Sequence, residues 1–202
     1  MEREIAIIKL KELEGKDLVP LASIYSVTLW KGEKKNKGWA GHVLERYLGL
    51  PVNTAQSPNF GSWELKLVPL KWLKNGQLTT KETMAITMID GYNVKQTPFE
   101  ESHLLAKLRK AVICARIFES IYEKRSILYK VTPFDLTDQD IYQTIKNDYE
   151  TVRECIITKG YDSLTGRMGK LIQPRTKGPG HGSRTRAFYA RTNLVKMLLG
   201  LP

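Results

Sequence analysis

The sequence lacks the long apolar runs that cross membranes. Of its 202 residues 42% are hydrophobic, but no run approaches the roughly 20 apolar residues that a membrane-spanning helix requires. The opening stretch, MEREIAIIKLKELEG, mixes acidic and basic residues with apolar ones, unlike a secretory signal. We therefore expect a cytoplasmic protein with no membrane partner.

Cysteine is also scarce. The two cysteines, Cys114 and Cys155, lie far apart in apolar segments and lack metal-ligand spacing. We expect both to be reduced thiols in the core, which excludes a disulfide framework and a cysteine-based zinc site. Repeats and low-complexity tracts are absent too. Length and apolar content fit one domain, residues 1–202, with a sizeable core.

Acidic residues are outnumbered by basic ones. Asp and Glu total 21 against 32 Lys and Arg, giving a net charge of +11 and indicating a polyanionic partner. The excess is concentrated in Lys159–Arg191, where Asp162 is the one acid among eight basic residues: Lys159, Arg167, Lys170, Arg175, Lys177, Arg184, Arg186 and Arg191. The glycine-rich part of this segment is either a loop that contacts a phosphate chain or a disordered link.

Apolar residues at helical spacing predict six helices. In the first, Ile5 and Ile8 are expected on the apolar side with Leu10 and Leu13. The predicted helices are Glu2–Leu13, Leu18–Tyr25, Trp39–Leu48, Thr97–Lys110, a long one from Thr137 or Asp138 to Thr158, and a terminal one capped by Asn193 and ending at Leu199.

Strand patterns lie between these helices. After the strand that begins at Trp63, a hairpin turn at Lys74–Gly76 should lead into one long partner strand, Gln77–Ile89, and a second turn at Asp90–Asn93 should end it. Two further strands are predicted at Ala111–Phe118 and Ser126–Thr132, whereas an irregular segment is predicted at Lys159–Arg186.

The strand that begins at Trp63 contains candidate catalytic residues. Its alternation turns Trp63, Leu65 and Leu67 to one face, and Glu64 and Lys66 to the other. An acidic residue combined with Glu-x-Lys can hold a divalent cation and orient a water, and Asn59 enters the strand at the position of that acid. Taken alone, Glu-x-Lys more often forms a cross-strand ion pair.

Two other charged residues admit two interpretations each. Glu45 falls between buried positions of its helix, where it either pairs with a cation at the surface or joins the site. Lys107 lies near the end of its predicted helix, where it either complements the helix dipole or points into a cleft.

Five segments in order resemble the MutH family of mismatch-repair nicking endonucleases and related restriction enzymes. They are KGWAGHVLE (Lys37–Glu45), WELKLVPL (Trp63–Leu70), ESHLLAKLRK (Glu101–Lys110), LIQPRTKG (Leu171–Gly178) and RAFYARTN (Arg186–Asn193). The resemblance implies an α/β fold of the PD-(D/E)xK restriction-endonuclease class, with a central mixed sheet flanked by helices. It also implies two lobes around a DNA cleft: a catalytic lobe at about 37–135, and a recognition lobe at about 136–202 with a contribution from the N-terminal helices.

The same resemblance implies roles for single residues. Asn59 and Glu64, with the carbonyl of Leu65, would hold one or two Mg²⁺ ions, and Lys66 would be the catalytic lysine. Glu45 and Lys107 would assist beside them. Arg175 and Lys177 match residues that read bases, Tyr189 matches a sensor of adenine methylation, and the expected phosphate contacts are Lys37, Lys170, Arg184, Arg186 and Arg191.

Three departures from the family shape the functional expectation. Asn59 replaces an aspartate that should bind Mg²⁺, so this form is expected to be nearly inactive. The short spacing from residue 59 to Glu64 is closer to MvaI-like restriction enzymes, and Thr176 stands where a proline is expected.

We therefore expect a bacterial type II restriction endonuclease that cleaves double-stranded DNA. The alternatives are a methyl-directed nickase acting at GATC and a catalytically inactive DNA-binding module. A cognate methyltransferase, or mismatch-repair proteins, would be partners. RNA binding is disfavoured, because the exposed aromatic pattern of RNA-binding modules is missing. The sequence leaves open the oligomeric state, with a monomer as the working expectation.

Overall fold

A computed structural model describes residues 1–50, 58–178 and 183–201. Helices and strands are interspersed along the chain, which confirms the α/β class. The helices are α1 (Arg3–Lys11), α2 (Leu18–Ile24), α3 (Trp39–Tyr47), α4 (Gly91–Gln96), α5 (His103–Arg109), α6 (Gln139–Lys159) and α7 (Thr192–Leu199). The strands are β1 (Trp30–Lys31), β2 (Lys34–Lys35), β3 (Glu64–Trp72), β4 (Leu78–Thr80), β5 (Met84–Met88), β6 (Lys110–Ile117), β7 (Leu128–Asp135), β8 (Ile172–Thr176) and β9 (Arg186–Ala190). None of the described helices is long and apolar enough to cross a membrane.

A four-stranded mixed sheet forms the centre, in the order β4-β3-β6-β7. Strands β3 and β6 are parallel, whereas β4 and β7 are antiparallel to their neighbours. The predicted central mixed sheet flanked by helices is thereby confirmed. A second, antiparallel sheet in the order β5-β9-β8, and the β1-β2 hairpin, complete the strands.

The central sheet separates two hydrophobic cores, because alternate residues of β6 point to opposite faces. Val112 and Cys114 pack with α1, α2 and α3, whereas Ile113 and Ala115 pack with α5, α6, α7 and the second sheet. Both cysteines are buried and free, Cys114 in the first core and Cys155 in the second. The predicted reduced core thiols are confirmed.

The apolar side of α1 differs from the prediction. Ile5 and Ile8 are 50% and 64% exposed, and the buried residues are Ala6, Leu10 and Leu13. These three follow the spacing i, i+4, i+7 of a single helical face, so a small alanine, and not the larger isoleucines, faces the core.

The predicted long strand Gln77–Ile89 is wrong, because it divides at residues 81–83 between two sheets. Strand β4 pairs with β3, whereas β5 pairs with β9. The predicted turn at Asp90–Asn93 is also wrong. Asp90 instead caps α4, accepting hydrogen bonds from the backbone N–H groups of Tyr92 and Asn93.

The predicted helix Thr97–Lys110 is shorter than expected. A 3₁₀ turn at Phe99–Glu101 precedes Ser102, whose extended backbone ends that turn. Its hydroxyl caps α5 through the N–H of Leu105, and Lys110 already belongs to β6. Apolar residues keep helical spacing on both sides of Ser102, but the side-chain hydrogen bond of this serine divides the predicted helix into a 3₁₀ turn and α5.

The long helix was predicted closely, since Asp138 caps α6.

The cap assigned to Asn193 is wrong: α7 begins at Thr192, and the Asn193 amide donates to the carbonyl of Lys170. The interval Lys159–Arg186 is not uniformly irregular either, because it contains β8. Residues 179–182 of the basic loop lie outside the described part of the chain.

A buried carboxylate fixes the start of β8. Asp148 on α6 is 4% exposed and accepts hydrogen bonds of 2.7 Å from the N–H groups of Lys170, Leu171 and Ile172. Gly169 precedes them with φ +74°, and a Cβ there would lie 1.9 Å from the carbonyl oxygen of Ile172. We call the Asp148 carboxylate and the three N–H groups that it binds the Asp148 latch. The latch fixes the start of the strand that leads to Arg175 and Lys177.

We predict that Gly169→Ala lowers the unfolding free energy far more than Gly15→Ala. Both glycines have positive φ, but a Cβ added at Gly15 would have no atom of the described residues within 4 Å. Gly15→Ala should cost about 1–2 kcal/mol from its backbone conformation alone, and Gly169→Ala a further 1–3 kcal/mol, roughly, from overlap. Equal losses in urea denaturation would contradict the close packing at the latch.

We predict that Asp148→Asn costs about 2–4 kcal/mol, because the amide offers one acceptor oxygen and turns an N–H₂ group toward backbone donors. The matched control is Asp140→Asn on the exposed first turn of α6, expected to cost less than about 1 kcal/mol. Urea denaturation of both variants measures the difference, and comparable stabilities would rule out the latch.

Candidate active site

A cleft of about 560 Å³ opens between the central sheet and the second sheet. Five elements line it, namely α3, β3, β5, α5 and β6. The segments before α3, before β3, between β4 and β5 and after β8 complete the lining. Its charged and polar lining residues are Lys37, His42, Glu45, Asn59, Glu64, Lys66, Glu82, Thr87, Lys107, Arg116 and Lys177. Six of these eleven residues are lysine, arginine or histidine and three are glutamate, so basic side chains predominate and the cleft suits an anion.

Glu64 forms the floor of the cleft and has no exposed surface. Its Oε1 atom lies 2.7 Å from Nζ of Lys66 and 3.3 Å from Nζ of Lys107. Its Oε2 atom accepts a 2.9 Å hydrogen bond from the backbone N–H of Asn59. A buried carboxylate is costly unless it is paired in this way, so Glu64 draws three parts of the chain together.

Asn59 also contacts the second carboxylate of the cleft. Its Nδ2 atom donates a 2.9 Å hydrogen bond to Oε1 of Glu45. The other oxygen of Glu45 is buried and has no hydrogen-bond partner among the described residues. Burial raises the pKa of Glu45, an effect that Lys66 and Lys107 partly oppose.

The lysines of the cleft are influenced by burial and by one another. Burial lowers the pKa of Lys107, the attraction of Glu64 opposes that shift, and the positive charge of Lys66 adds to it. The pKa of Lys177 is lowered by burial and then by Lys66. Lys177 and Lys66 are therefore close enough to interact, although 111 positions separate them in the sequence.

The structure thus places most of the sequence-predicted catalytic set together. Residues Lys37, Glu45, Asn59, Glu64, Leu65, Lys66, Lys107 and Lys177 line one cleft. Their chemical roles stay predictions. The predicted alternation in β3 is also seen, since Leu65 packs in the first core and Val68 in the second.

The other two predicted readout residues lie together, outside the cleft lining. Arg175 on β8 is exposed, and its guanidinium lies 5.7 Å from the ring of Tyr189 on β9. Its Nη1 atom donates a 2.8 Å hydrogen bond to the hydroxyl of Thr83. The β5-β9-β8 sheet therefore presents a guanidinium held from two sides.

Three of the predicted phosphate contacts use their side chains within the fold. Arg191 donates to the carbonyls of Gly166, Met168 and Gly169. Arg186 donates to the hydroxyl of Thr176 and to two carbonyls of its own loop, and Arg184 lies 3.5 Å from Asp162. Lys170 is exposed and lies beside the Asp148 latch. Contact of these four residues with DNA stays a prediction.

Three titratable residues of the cleft were missed, namely His42, Glu82 and Arg116. His42 follows the spacing i, i+3 with Glu45 on α3, and burial followed by the charge of Arg46 lowers its pKa. Arg116 lies inside the apolar strand β6 and is paired with Glu123. The sequence signals were a histidine one helical turn from a buried carboxylate and a lone cation in the run AVICARIF.

No group of three or more His, Cys, Asp and Glu side chains suited to a metal ion occurs among the described residues. Glu45 and Glu64 lie close to Asn59, which places an amide at the third position of that corner of the cleft. Oxygen atoms still dominate that corner of the cleft, which is the ligand type that Mg²⁺ prefers.

Comparison with known proteins connects the cleft to a family. The family described as "DNA mismatch repair enzyme MutH" matches residues 48–152. The DNA mismatch repair protein MutH of Vibrio campbellii is 26% identical over 196 residues, covering 93% of this chain and 82% of that protein. The type II restriction enzyme Sau3AI of Staphylococcus aureus is 27% identical over 192 residues, covering 89% of this chain but 36% of that protein.

A solved complex of restriction endonuclease MvaI with its cognate DNA substrate aligns over 98% of this chain and 96% of its own, with 13% identity and a TM-score of 0.41. The family match spans more than half of the 202 residues and includes Asn59, Glu64, Lys66 and Lys107 of the cleft. The chain belongs to the MutH family of DNA endonucleases.

Proposed function

We propose that this protein binds double-stranded DNA in the cleft and that its fold supports hydrolysis of a phosphodiester bond, as in a type II restriction endonuclease. The observation that carries the proposal is the buried Glu64 carboxylate held between Lys66 and Lys107 on the floor of a cationic cleft. Both lysines lie against this one buried carboxylate, so two cations are held in the cleft where a phosphate would bind.

The surrounding cations support the same substrate. Lys37 and Lys177 also line the cleft. Such lysines neutralise phosphate charge and position a duplex without reading its sequence. Arg175 would read the bases, because its guanidinium group can donate two hydrogen bonds to guanine. The contacts of this guanidinium with Thr83 and with the Tyr189 ring would orient it before DNA binds.

The residues present fit a divalent cation in part. Glu64, the free oxygen of Glu45 and the carbonyl of Leu65 would hold Mg²⁺, and the buried, unpartnered Oε2 of Glu45 is the observation that favours such a ligand. When bound, the ion would polarise the phosphoryl oxygen and stabilise the charge on the leaving group.

The chain's own residues would orient the reaction. Lys66 would hold the attacking water in line with the phosphorus, so that the 3′ oxygen leaves on the far side. Lys107 would donate to a phosphate oxygen, a charge-stabilising role that suits a preorganised, buried cation. Burial lowers the pKa of Lys107, and its proximity to Glu64 favours the charged form that this role needs.

Asn59 limits the activity in this proposal. Its amide hydrogen-bonds to Glu45 and so satisfies a carboxylate oxygen that would otherwise face the metal. The same bond favours a second candidate, a DNA-binding module without cleavage activity. A methyl-directed nickase is the further alternative. The partner would be a cognate methyltransferase for a restriction enzyme, or mismatch-repair proteins for a nickase.

We predict that Asn59→Asp raises Mg²⁺-dependent DNA cleavage by roughly a hundredfold or more, the scale on which one preorganised charged or polar group acts in catalysis. In the absence of metal the new carboxylate would face Glu45, so the variant should melt at a lower temperature than the original protein. Addition of Mg²⁺ should restore its melting temperature, because a ligand that binds the folded state stabilises it.

The matched control is Asn59→Ala, which removes the amide without adding a carboxylate. It should gain neither cleavage nor stabilisation by Mg²⁺. DNA binding by the Asn59→Asp variant without cleavage at any tested metal would refute the enzyme proposal and favour the binding module. Failure of the original protein to bind duplex DNA would refute both.

A further inference from the structure

A side pocket of about 390 Å³ adjoins the cleft. It is formed by the β1-β2 hairpin, the residue after β4 and the loop after β6, with Trp30, Lys35, Lys81, Phe118, Ile121 and Glu123 in its lining. It shares Lys37, Pro69, Glu82 and Arg116 with the cleft, so a strand lying in one can extend into the other.

Two cations of this side pocket share one carboxylate of the protein. Arg116 forms a two-pronged contact with Glu123, at 2.7 and 3.0 Å, and also donates to the hydroxyl of Ser126. Lys35 approaches the same Glu123 carboxylate at 2.7 Å. The floor therefore carries two cations around one carboxylate, which leaves a net positive charge beside the cleft.

The walls of the side pocket are aromatic. Trp30 is 40% exposed and lies opposite Lys35 in the hairpin. Nζ of Lys81 lies 4.2 Å from the centroid of the Phe118 ring, and Nζ of Lys35 lies 5.6 Å from the same centroid. Cations thus accompany two aromatic rings at the border of a cationic cleft.

We propose that the side pocket binds one unpaired nucleotide of the DNA, with its base against the aromatic rings and its phosphate near Lys81. A phosphate alone would need cations but no exposed tryptophan, whereas nucleobases stack on aromatic side chains without regard to sequence. The pocket is continuous with the cleft, and Lys37 and Lys81 line it, with Nζ of Lys81 4.0 Å from the carboxylate of the exposed Glu82. Both lysines can donate to phosphates of a backbone that follows this path. This inference rests on the proposed function, since it extends the same DNA-binding surface.

Tryptophan fluorescence tests the contact directly. Trp39 and Trp63 are buried, and Trp72 is 58% exposed at the far end of β3. In Trp72→Phe, Trp30 is therefore the one remaining exposed tryptophan of the four in the sequence. Saturation with a duplex that carries one unpaired adenine should reduce acrylamide quenching of this protein by at least about half, because a stacked base shields the ring.

Binding measurements separate this site from the cleft as a whole. Trp30→Ala should weaken binding of the duplex with the unpaired adenine by about tenfold, within the range of one lost stacking contact. Binding of the fully paired duplex should change less than about twofold, by the same reasoning. Trp72→Ala is the matched control and should weaken neither.

The outcomes discriminate between the two proposals. Tight binding of both duplexes with unchanged Trp30 quenching, or equal losses for both duplexes in Trp30→Ala, would overturn the side-pocket assignment and leave the proposed function intact. Absence of binding to either duplex by the original protein would overturn the proposed function and this inference with it.

Discussion

A fully buried carboxylate persists only where cations and N–H donors surround it, and the site is assembled around one such group, Glu64. Lys66 comes from the same strand, Lys107 from α5 and the N–H of Asn59 from the loop before β3. Burial without these partners would cost several kcal/mol, on the order of the whole stability of a domain. The ion network therefore joins the elements that line the cleft, and the lysines that neutralise Glu64 are the same lysines that face a phosphate.

The rest of the fold serves to bring distant segments to that floor. Parallel pairing of β3 with β6 places Glu64 opposite Ala111, directly after the helix that carries Lys107. The second sheet brings Lys177 over the cleft, and the Asp148 latch holds the strand on which Lys177 depends. Asn59 links the two carboxylates, one through its backbone and the other through its amide. A single residue thus couples the floor of the cleft to α3.

Much of this arrangement could be predicted from the sequence, because its signals are local. The Glu-x-Lys alternation, the cap at Asp138 and the burial of the cysteines depend on neighbours within a few residues. The failures involve competition between local signals and distant contacts. The stretch 77–89 has strand character throughout, but its two halves pair with different strands, which no local pattern reveals. Ile5 and Ile8 satisfy a helical period as well as Ala6 does, and only packing against α3 and the sheet decides which face is buried. Arg191 is basic like its neighbours, yet its guanidinium is engaged by three carbonyls that lie 22 to 25 positions away.

The central claim is that Glu64 and the lysines around it stabilise one another within a single buried network. A double-mutant cycle with Glu64→Gln, Lys107→Met and the combined variant, measured by urea denaturation in the presence of a chelator, tests it most directly. The account predicts that Glu64→Gln alone is the most destabilising change, because it leaves Lys66 and Lys107 facing each other without an anion. It also predicts a favourable coupling energy of about 1–3 kcal/mol, the range for residues in one ion network. Additive effects, with a coupling energy below about 0.5 kcal/mol, would contradict it.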